Sequence, residues 1–527
     1  MKEMNEVAGQ GNFSPSAVPY FQFEETLQKQ QAQLKNNPLM LRFAQSRKQL
    51  KTDPHRPIYH FTSPESTMHD ANGLCFWQGR WHLFYQAYPP EDRRVHWGHA
   101  FSDDLIHWRD LPYAIYPHPE ESVYSGATLA EENRVIAMYH GLGVGNMVAV
   151  CDDPLLLNWE KIATPAIPTK STFGEPLPYF VFDPSIWKKD GIYYSLMGGG
   201  RNNTGPTGKP IRSSPLFRSA DLIDWRYLHE FVEDDRFTLI GDDAACPYFW
   251  PIGDRHILLF FSHMSGTQYL LGDYDKKRDK FNVTSHGRFN FNTHLPGGVH
   301  APSATPDGAG GVNVIFNMNS GKPMSGWNEL MTLPRRLTLS ETDQLRVEPA
   351  GAVESLRGQH AQISAKPLPA NREIVLPEIE GNAIELIAEI DTQNAAMVEL
   401  NVLRSPDKEE YTSIKFFRDR GYMLKRQNPE LTGRESLVTI ETAYSSILPD
   451  ALSRAPETAP VRLASGENLQ LRVFIDKSVV EVFINGKQCL AVRAYPGKAD
   501  SVGVSLRAQG QDALLVGLDV WQMKDIY

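Results

Sequence analysis

At 527 residues the chain exceeds what one hydrophobic core usually serves, so two or more domains are expected. Apolar residues at 41% and charged ones at 22% describe a soluble globular protein, and a net charge of −10 with a pI near 5.9 argues against a nucleic acid partner. No stretch approaches the length of a membrane span, and Met1-Lys2-Glu3-Met4-Asn5-Glu6 lacks the apolar run of a secretory signal, so a cytoplasmic protein with no membrane partner is expected.

In chain order, residues 1–54 form an N-terminal extension that is expected to be partly helical. As far as Tyr20 it is polar and carries Gly, Pro and Ser. From Glu24 to Gln49 the apolar spacing turns helical, with Pro38 dividing Leu27–Leu34 from Leu39–Leu50. The second piece has an apolar face that needs a partner surface. Whether that surface is the main domain or a second copy stays open here, and so does the oligomeric state.

Residues 55–340 repeat one phrase. His69-Asp70-Ala71-Asn72-Gly73 opens the apolar run Leu74-Cys75-Phe76-Trp77. Gln78-Gly79-Arg80 turns it, and Trp81-His82-Leu83-Phe84-Tyr85-Gln86 runs back, a β-hairpin pattern. Comparable hairpins begin at Gly126, Asp183, Cys246 and Ala301, about five copies at a spacing of roughly 50–60 residues, the range in which propeller blades repeat. A second repeat runs out of phase with the first. Its copies are Asp103-Asp104-Leu105-Ile106-His107-Trp108, Asp152-Asp153-Pro154-Leu155-Leu156-Leu157-Asn158-Trp159 and Ala220-Asp221-Leu222-Ile223-Asp224-Trp225, each placed where a polar turn and a Trp close an outer strand pair. The fold expected is all-β, with a five-bladed β-propeller over 55–340.

Residues 341–364 read as a linker with a short helix-like Val353-Glu354-Ser355-Leu356. From 365 to 527 the chain is short alternating strands, among them Ile384-Glu385-Leu386-Ile387-Ala388-Glu389-Ile390 and Val479-Val480-Glu481-Val482-Phe483-Ile484 with its Asn485-Gly486 turn. That spacing predicts a C-terminal β-sandwich. Cys75, Cys151, Cys246 and Cys489 are far apart and read as reduced thiols.

In a propeller the starts of the inner strands converge, which brings Asp70, Asp183 and the segment 242–246 around one point. Burying a carboxylate beside an apolar strand costs several kcal/mol unless it is paired or solvated. Two in equivalent repeats favour a functional role over turn capping. Converging carboxylates with aromatic walls suit glycosidic bond cleavage: one attacks or stabilises the oxocarbenium-like centre, and a protonated one donates to the leaving oxygen. His69, His99 and His300 have no metal-ligand framing, so neither a metal nor a cofactor is expected.

His69-Asp70-Ala71-Asn72-Gly73 resembles the Asn-Asp-Pro-Asn-Gly box of glycoside hydrolase family 32, the invertases, fructanases and fructosyltransferases. The likeness continues through Leu83-Phe84-Tyr85-Gln86, Trp97-Gly98-His99-Ala100, Tyr124-Ser125-Gly126, Phe182-Asp183-Pro184, Ala245-Cys246-Pro247, Trp327, Leu333-Pro334-Arg335 and Val479-Val480-Glu481-Val482-Phe483. It implies a five-bladed propeller plus sandwich and a fructoside substrate. Asp70 then matches the nucleophile that forms a fructosyl-enzyme, and Asp183 the aspartate that holds fructose hydroxyls. Gln86, Trp97 and Ser125 match residues lining the fructose subsite, and His69, Asn72, Tyr124 and Phe182 of the matching boxes are read as substrate-binding with them.

The chain departs from this pattern at three places. Ala71 replaces the proline after the nucleophile, Phe182 replaces an arginine, and Ala245 occupies the position of the acid/base glutamate. Alanine neither protonates a leaving group nor activates water. Either the acid has moved, with Asp243 or Asp242 as candidates, or it has been removed, as in a Glu→Ala form. Removal is favoured at this level, because two residues along a strand shift a side chain's reach by ~6–7 Å. The function expected is a retaining hydrolase or transferase of β-fructofuranosides. The alternatives are a non-catalytic fructoside-binding protein or a different furanosidase on the same propeller.

Overall fold

The computed structural model describes residues 13–527 apart from 163, 172–174, 176, 205–209, 234 and 428–431, so the first twelve residues of the expected extension lie outside it. Two helices open the described chain, Leu27–Lys35 and Pro38–Leu50. Asn37 starts the second by accepting from the Leu39 and Met40 N–H groups at 2.9 and 3.3 Å, and Pro38 sits where a missing N–H costs nothing. Leu39 and Phe43 bury against Phe61, Leu83 and Tyr113, and Arg47 grips both oxygens of Asp110. The apolar face of this helix therefore covers the first sheet.

Among the described residues, five sheets of four or five strands follow in chain order, with a two-stranded one, Gly200–Thr204 and Pro210–Arg212, inserted within the third. The first is Thr67–Trp77, Arg80–Tyr88, His96–Ser102 and Arg109–Ile115, each strand paired with the next. The others repeat this meander and begin at Val123–Ala130, Trp187–Lys189, Ala245–Ile252 and Val299–Pro306. The opening strands of the first, second, fourth and fifth sheets pack on one another, the fifth closing back on the first. Tyr248 Oη ties three of these sheets together. It accepts from the Gly73 N–H at 3.1 Å and donates to the Gly126 carbonyl at 2.9 Å.

The out-of-phase repeat is a turn between third and fourth strands. Asp104 accepts from the N–H groups of Ile106 and His107, Asp153 from Leu155, Leu157 and Asn158, and Asp221 from Ile223 and Asp224. Leu105, Leu156 and Leu222 each take the left-handed conformation these turns require, with φ of 69°, 53° and 72°.

One irregularity recurs at the start of four inner strands. Register slips by one residue between Met68 and Ala71, Val123 and Gly126, Ala245 and Tyr248, and Val299 and Pro302. A bulge re-aims the extra side chains away from the sheet's alternation. The re-aimed pairs are His69 with Asp70, Tyr124 with Ser125, Cys246 with Pro247, and His300 with Ala301.

The remaining chain forms a seven-stranded and a six-stranded antiparallel sheet with an aliphatic core between them, including Leu386, Leu400, Val473 and Leu506. The expected linker 341–364 contains two paired strands. Leu345–Pro349 is the outer strand of the fifth sheet, and Arg357–Ile363 pairs with Ala513–Met523 of the seven-stranded sheet. Both strands are short and lie beside Pro349 and Gly351, so their local pattern resembles a connection. Only the partner strands reveal them.

A buried polar cluster joins the two halves. His60 lies between Asp476 (2.9 Å) and Glu481 (3.0 Å), and Glu481 also receives Arg335 (2.7 Å) and the Leu333 N–H (2.7 Å). Burial alone would lower His60, but the two carboxylates raise it to about 9. Glu481 belongs to a matched box and acts here as a joint between sheets.

Candidate active site

Asp70 projects from the first bulge and is nearly closed from solvent, with its side chain 13% exposed. Ser125 Oγ donates to its Oδ2 at 2.6 Å and Gln86 Nε2 at 2.9 Å, while His300 Nδ1 stands 3.0 Å from Oδ1. Burial would push the carboxyl up. The His300 contact, the Ser125 hydroxyl and the nearby His69 outweigh it and hold Asp70 well below the usual carboxylate range.

Asp183 enters from the third sheet, just before the bridge of Pro184 to Met197. Its Oδ2 accepts from the Cys246 N–H at 3.2 Å, and the Cys246 thiol lies 3.4 Å from that oxygen and 3.7 Å from Asp70 Oδ2. Ala244 and Cys246 both hold positive φ, 48° and 50°, which turns the Cys246 N–H toward Asp183 at a cost of about 1–3 kcal/mol for each such residue. Burial first, and the Asp70 charge second, raise Asp183 to about 7. Two carboxyls sharing one thiol are thus driven in opposite directions.

Gly198 lets the third and fourth sheets close here, since a Cβ on it would fall 2.1 Å from the Ala244 carbonyl oxygen. Around the pair, His69 Nδ1 contacts Glu329 Oε1 at 2.6 Å, and Asn317 Nδ2 donates to Glu329 Oε2 at 2.7 Å. Tyr124 is half-buried with its ring 6.3 Å from that of His140, and the half-buried Phe182 lies 5.9 Å from the same ring.

The sequence of residues 60–349 matches the family model of the glycosyl hydrolases family 32 N-terminal domain, and 352–522 that of its C-terminal domain. The chain belongs to glycosyl hydrolase family 32. It is similar to the levanase of Bacillus subtilis (strain 168), 26% identical over 520 residues covering 90% of this chain and 71% of that one. A sucrose-6-phosphate hydrolase of Escherichia coli is 28% identical over 505 residues, 89% and 94% of the two. Fructan 1-exohydrolase IIa from Cichorium intybus superposes with a TM-score of 0.77 at 22% identity, covering 90% of this chain and 98% of its own. At that identity the likeness shows the fold alone, the family's propeller followed by a sandwich.

In this family 32 chain several expected site residues stand elsewhere. Asn72 and Trp97, read as substrate-binding, have no exposed surface. Asn72 pairs with Phe84 on the regular rung beyond the bulge, and its amide faces Trp97 Nε1 at 3.2 Å. Trp97 also donates to the Tyr124 carbonyl at 2.9 Å, so both residues brace the site from behind. Asp242 is corrected as a displaced acid. It is fully buried and accepts from Ser262 and Ser265 Oγ and the Leu239 N–H. Asp243 is engaged by His263, whose N–H donates to Oδ1 at 3.1 Å and whose Nδ1 lies 2.6 Å from Oδ2. Ala245 occupies the rung equivalent to Met68, Val123 and Val299, all buried, and packs with Cys246, Phe261, Ala301 and Phe182.

Sequence reasoning gave no role to His300, Glu329 or His263. His300 had a usable signal, because Val299-His300-Ala301 repeats Met68-His69-Asp70 in bulge register. Glu329 and His263 had none, as each lies in a connection whose direction depends on neighbouring sheets. His99 lies apart from the site and contacts His82 at 2.9 Å. Among the described residues no group of three or more His, Cys, Asp or Glu is arranged to hold a metal.

Proposed function

We propose that this chain is a retaining glycosidase or fructosyltransferase of β-fructofuranosides (sucrose, fructo-oligosaccharides or fructans) working through a fructosyl ester on Asp70. The observation that carries this reading is the opposed state of two carboxyls on one thiol, Asp70 held low and Asp183 raised to about 7. An ionised carboxylate oriented by Ser125 and Gln86 is prepared to attack an anomeric carbon. Asp183 faces the same point and forms charge-assisted bonds to sugar hydroxyls that strengthen as positive charge develops. The fructans among these substrates follow the names of the levanase and the fructan exohydrolase. The five sheets are read as blades of one propeller and the last two as a sandwich, which the contacts between opening strands support.

In the first step Asp70 forms a bond to the anomeric carbon as the glycosidic C–O bond breaks and its oxygen takes a proton. In the second, water or an acceptor hydroxyl displaces Asp70 with retention of configuration. The test is incubation with sucrose, 1-kestose, inulin and levan, with mass spectrometry of the Asp70 peptide after rapid quench. Release of fructose or longer fructosides and a hexosyl adduct on Asp70 are expected. Four unchanged substrates and no adduct would overturn the reading.

A further inference from the structure

The ladder that carries Ala245 continues to a proton donor. Ala245 pairs with Phe261, and two rungs further on Asp243 meets His263 in the turn Ser262–Gly266. The imidazole is held by Nδ1 against Asp243 Oδ2, and the His263 backbone N–H donates to Oδ1 of the same carboxylate. Among the described residues Nε2 has no hydrogen-bond partner, and the side chain is 56% exposed. Its ring lies 5.1 Å from Phe261, 6.5 Å from Phe182 and 6.3 Å from His300, the histidine that touches Asp70. The aromatic wall of the small Ala245 slot thus leads to an imidazole whose free nitrogen is open to a substrate.

We propose that His263, positioned by Asp243, is the general acid and base of this enzyme in place of a carboxyl at position 245. This rests on the fructoside reading above. In the first step the imidazolium gives its Nε2 proton to the glycosidic oxygen as that C–O bond breaks and the Asp70 ester forms. The alcohol departs and His263 is left neutral. In the second step neutral Nε2 takes a proton from water or an acceptor hydroxyl. The oxygen so freed bonds to the anomeric carbon, the ester bond breaks, and Asp70 leaves as carboxylate with His263 again protonated. Asp243 holds the proton on Nδ1 throughout.

The electrostatics agree with this cycle. The Asp243 bond raises His263 most, burial opposes it, and the Asp243, Asp70 and Asp183 charges add to the rise. His300 and His294 are the other titratable rings packed around Phe261 on this side. The proton is therefore held to higher pH than on a free imidazole.

The test compares wild type, His263→Gln, Asp243→Asn and Asp70→Asn on sucrose and on a p-nitrophenyl β-fructofuranoside. His263→Gln is expected to lose about 10²–10⁴-fold on sucrose but to keep the initial burst of nitrophenol, whose leaving group needs no proton. Azide then restores steady turnover by attacking the ester without a base, giving fructosyl azide. Asp243→Asn is expected to move the alkaline limb of the sucrose profile to lower pH, an effect a merely structural residue does not have. Ala245→Glu is expected to do little in wild type and to recover sucrose turnover in the His263→Gln background. If Asp70→Asn abolishes turnover while His263→Gln leaves sucrose hydrolysis intact, the fructoside reading stands and this proposal falls. A wild type that turns over the nitrophenyl substrate but not sucrose overturns it as well. Inactivity of wild type on both removes the two readings together.

Discussion

His300 Nδ1 stands 3.0 Å from Asp70 Oδ1, on the side of the carboxylate opposite to Ser125 and Gln86. Both residues sit on bulges of the same type, on opening strands that touch each other. Asp70 is depressed because this contact, together with the Ser125 hydroxyl and the nearby His69, outweighs burial. Replacing His300 with Leu removes it, so Asp70 is expected to titrate higher. The acid limb of kcat/KM then moves up by about 1–2 pH units, read from a pH–rate profile. An unmoved limb would assign that ionisation to another group.

Asp70→Asn tests the nucleophile itself. The amide keeps the Ser125 and Gln86 side within reach of a polar partner but forms no ester. Turnover is expected to fall below detection while the circular dichroism spectrum and the melting cooperativity stay as in wild type. Residual activity of wild-type size excludes Asp70 from the mechanism.

Asp183 carries a stability cost that follows from its rise to about 7. A carboxyl raised on folding loses stability as pH climbs from its ordinary 3.8 through about 7, because the unfolded chain ionises first. Asp183→Asn removes that ionisation. Relative to wild type the variant is expected to gain roughly 1–4 kcal/mol between pH 4 and pH 8, followed by chemical denaturation at each pH. Its sugar affinity and rate are expected to drop together. A pH-independent difference in stability would contradict the rise.

The cluster joining the two halves predicts a different pH window. His60 is raised from 6.5 to about 9, so its contribution is complete below pH 6.5 and disappears as pH rises through 9. Glu481 is lowered, with burial opposed first by Arg335 and then by His60, so its contribution holds above 4.5 and is lost as pH falls. Maximal stability is expected between these edges. Glu481→Leu leaves Arg335 and His60 buried without their shared carboxylate and is expected to cost about 3–5 kcal/mol, measured by denaturant titration. A variant as stable as wild type would show the cluster to be neutral.

Much of this molecule is local in sequence. The hairpins open where an apolar run meets Gly and Asp or Asn, and the turns at Asp104, Asp153 and Asp221 are closed by side chains two to five residues from their backbone partners. Asp70 and Asp183 were legible for the same reason, being carboxylates placed beside apolar strand starts, where packing alone does not put them. The alternation in the C-terminal strands was equally readable, since burial on one face imposes a period of two.

What the tertiary structure decided are contacts that only ring closure and strand register create. His69 meets Glu329 across 260 residues, and His300 reaches Asp70 across the closing edge of the first and fifth sheets. Register also placed Asn72 and Trp97 behind the site and Ala245 in an apolar slot, while the bulges turned their neighbours inward. Asp243 and His263 lie only 20 residues apart, yet their pairing depends on a ladder two strands wide. A one-residue bulge changes which side chains face the site without changing composition or pattern. The sequence alone therefore determined the fold class and two carboxylates, and the packed sheets decided what surrounds them.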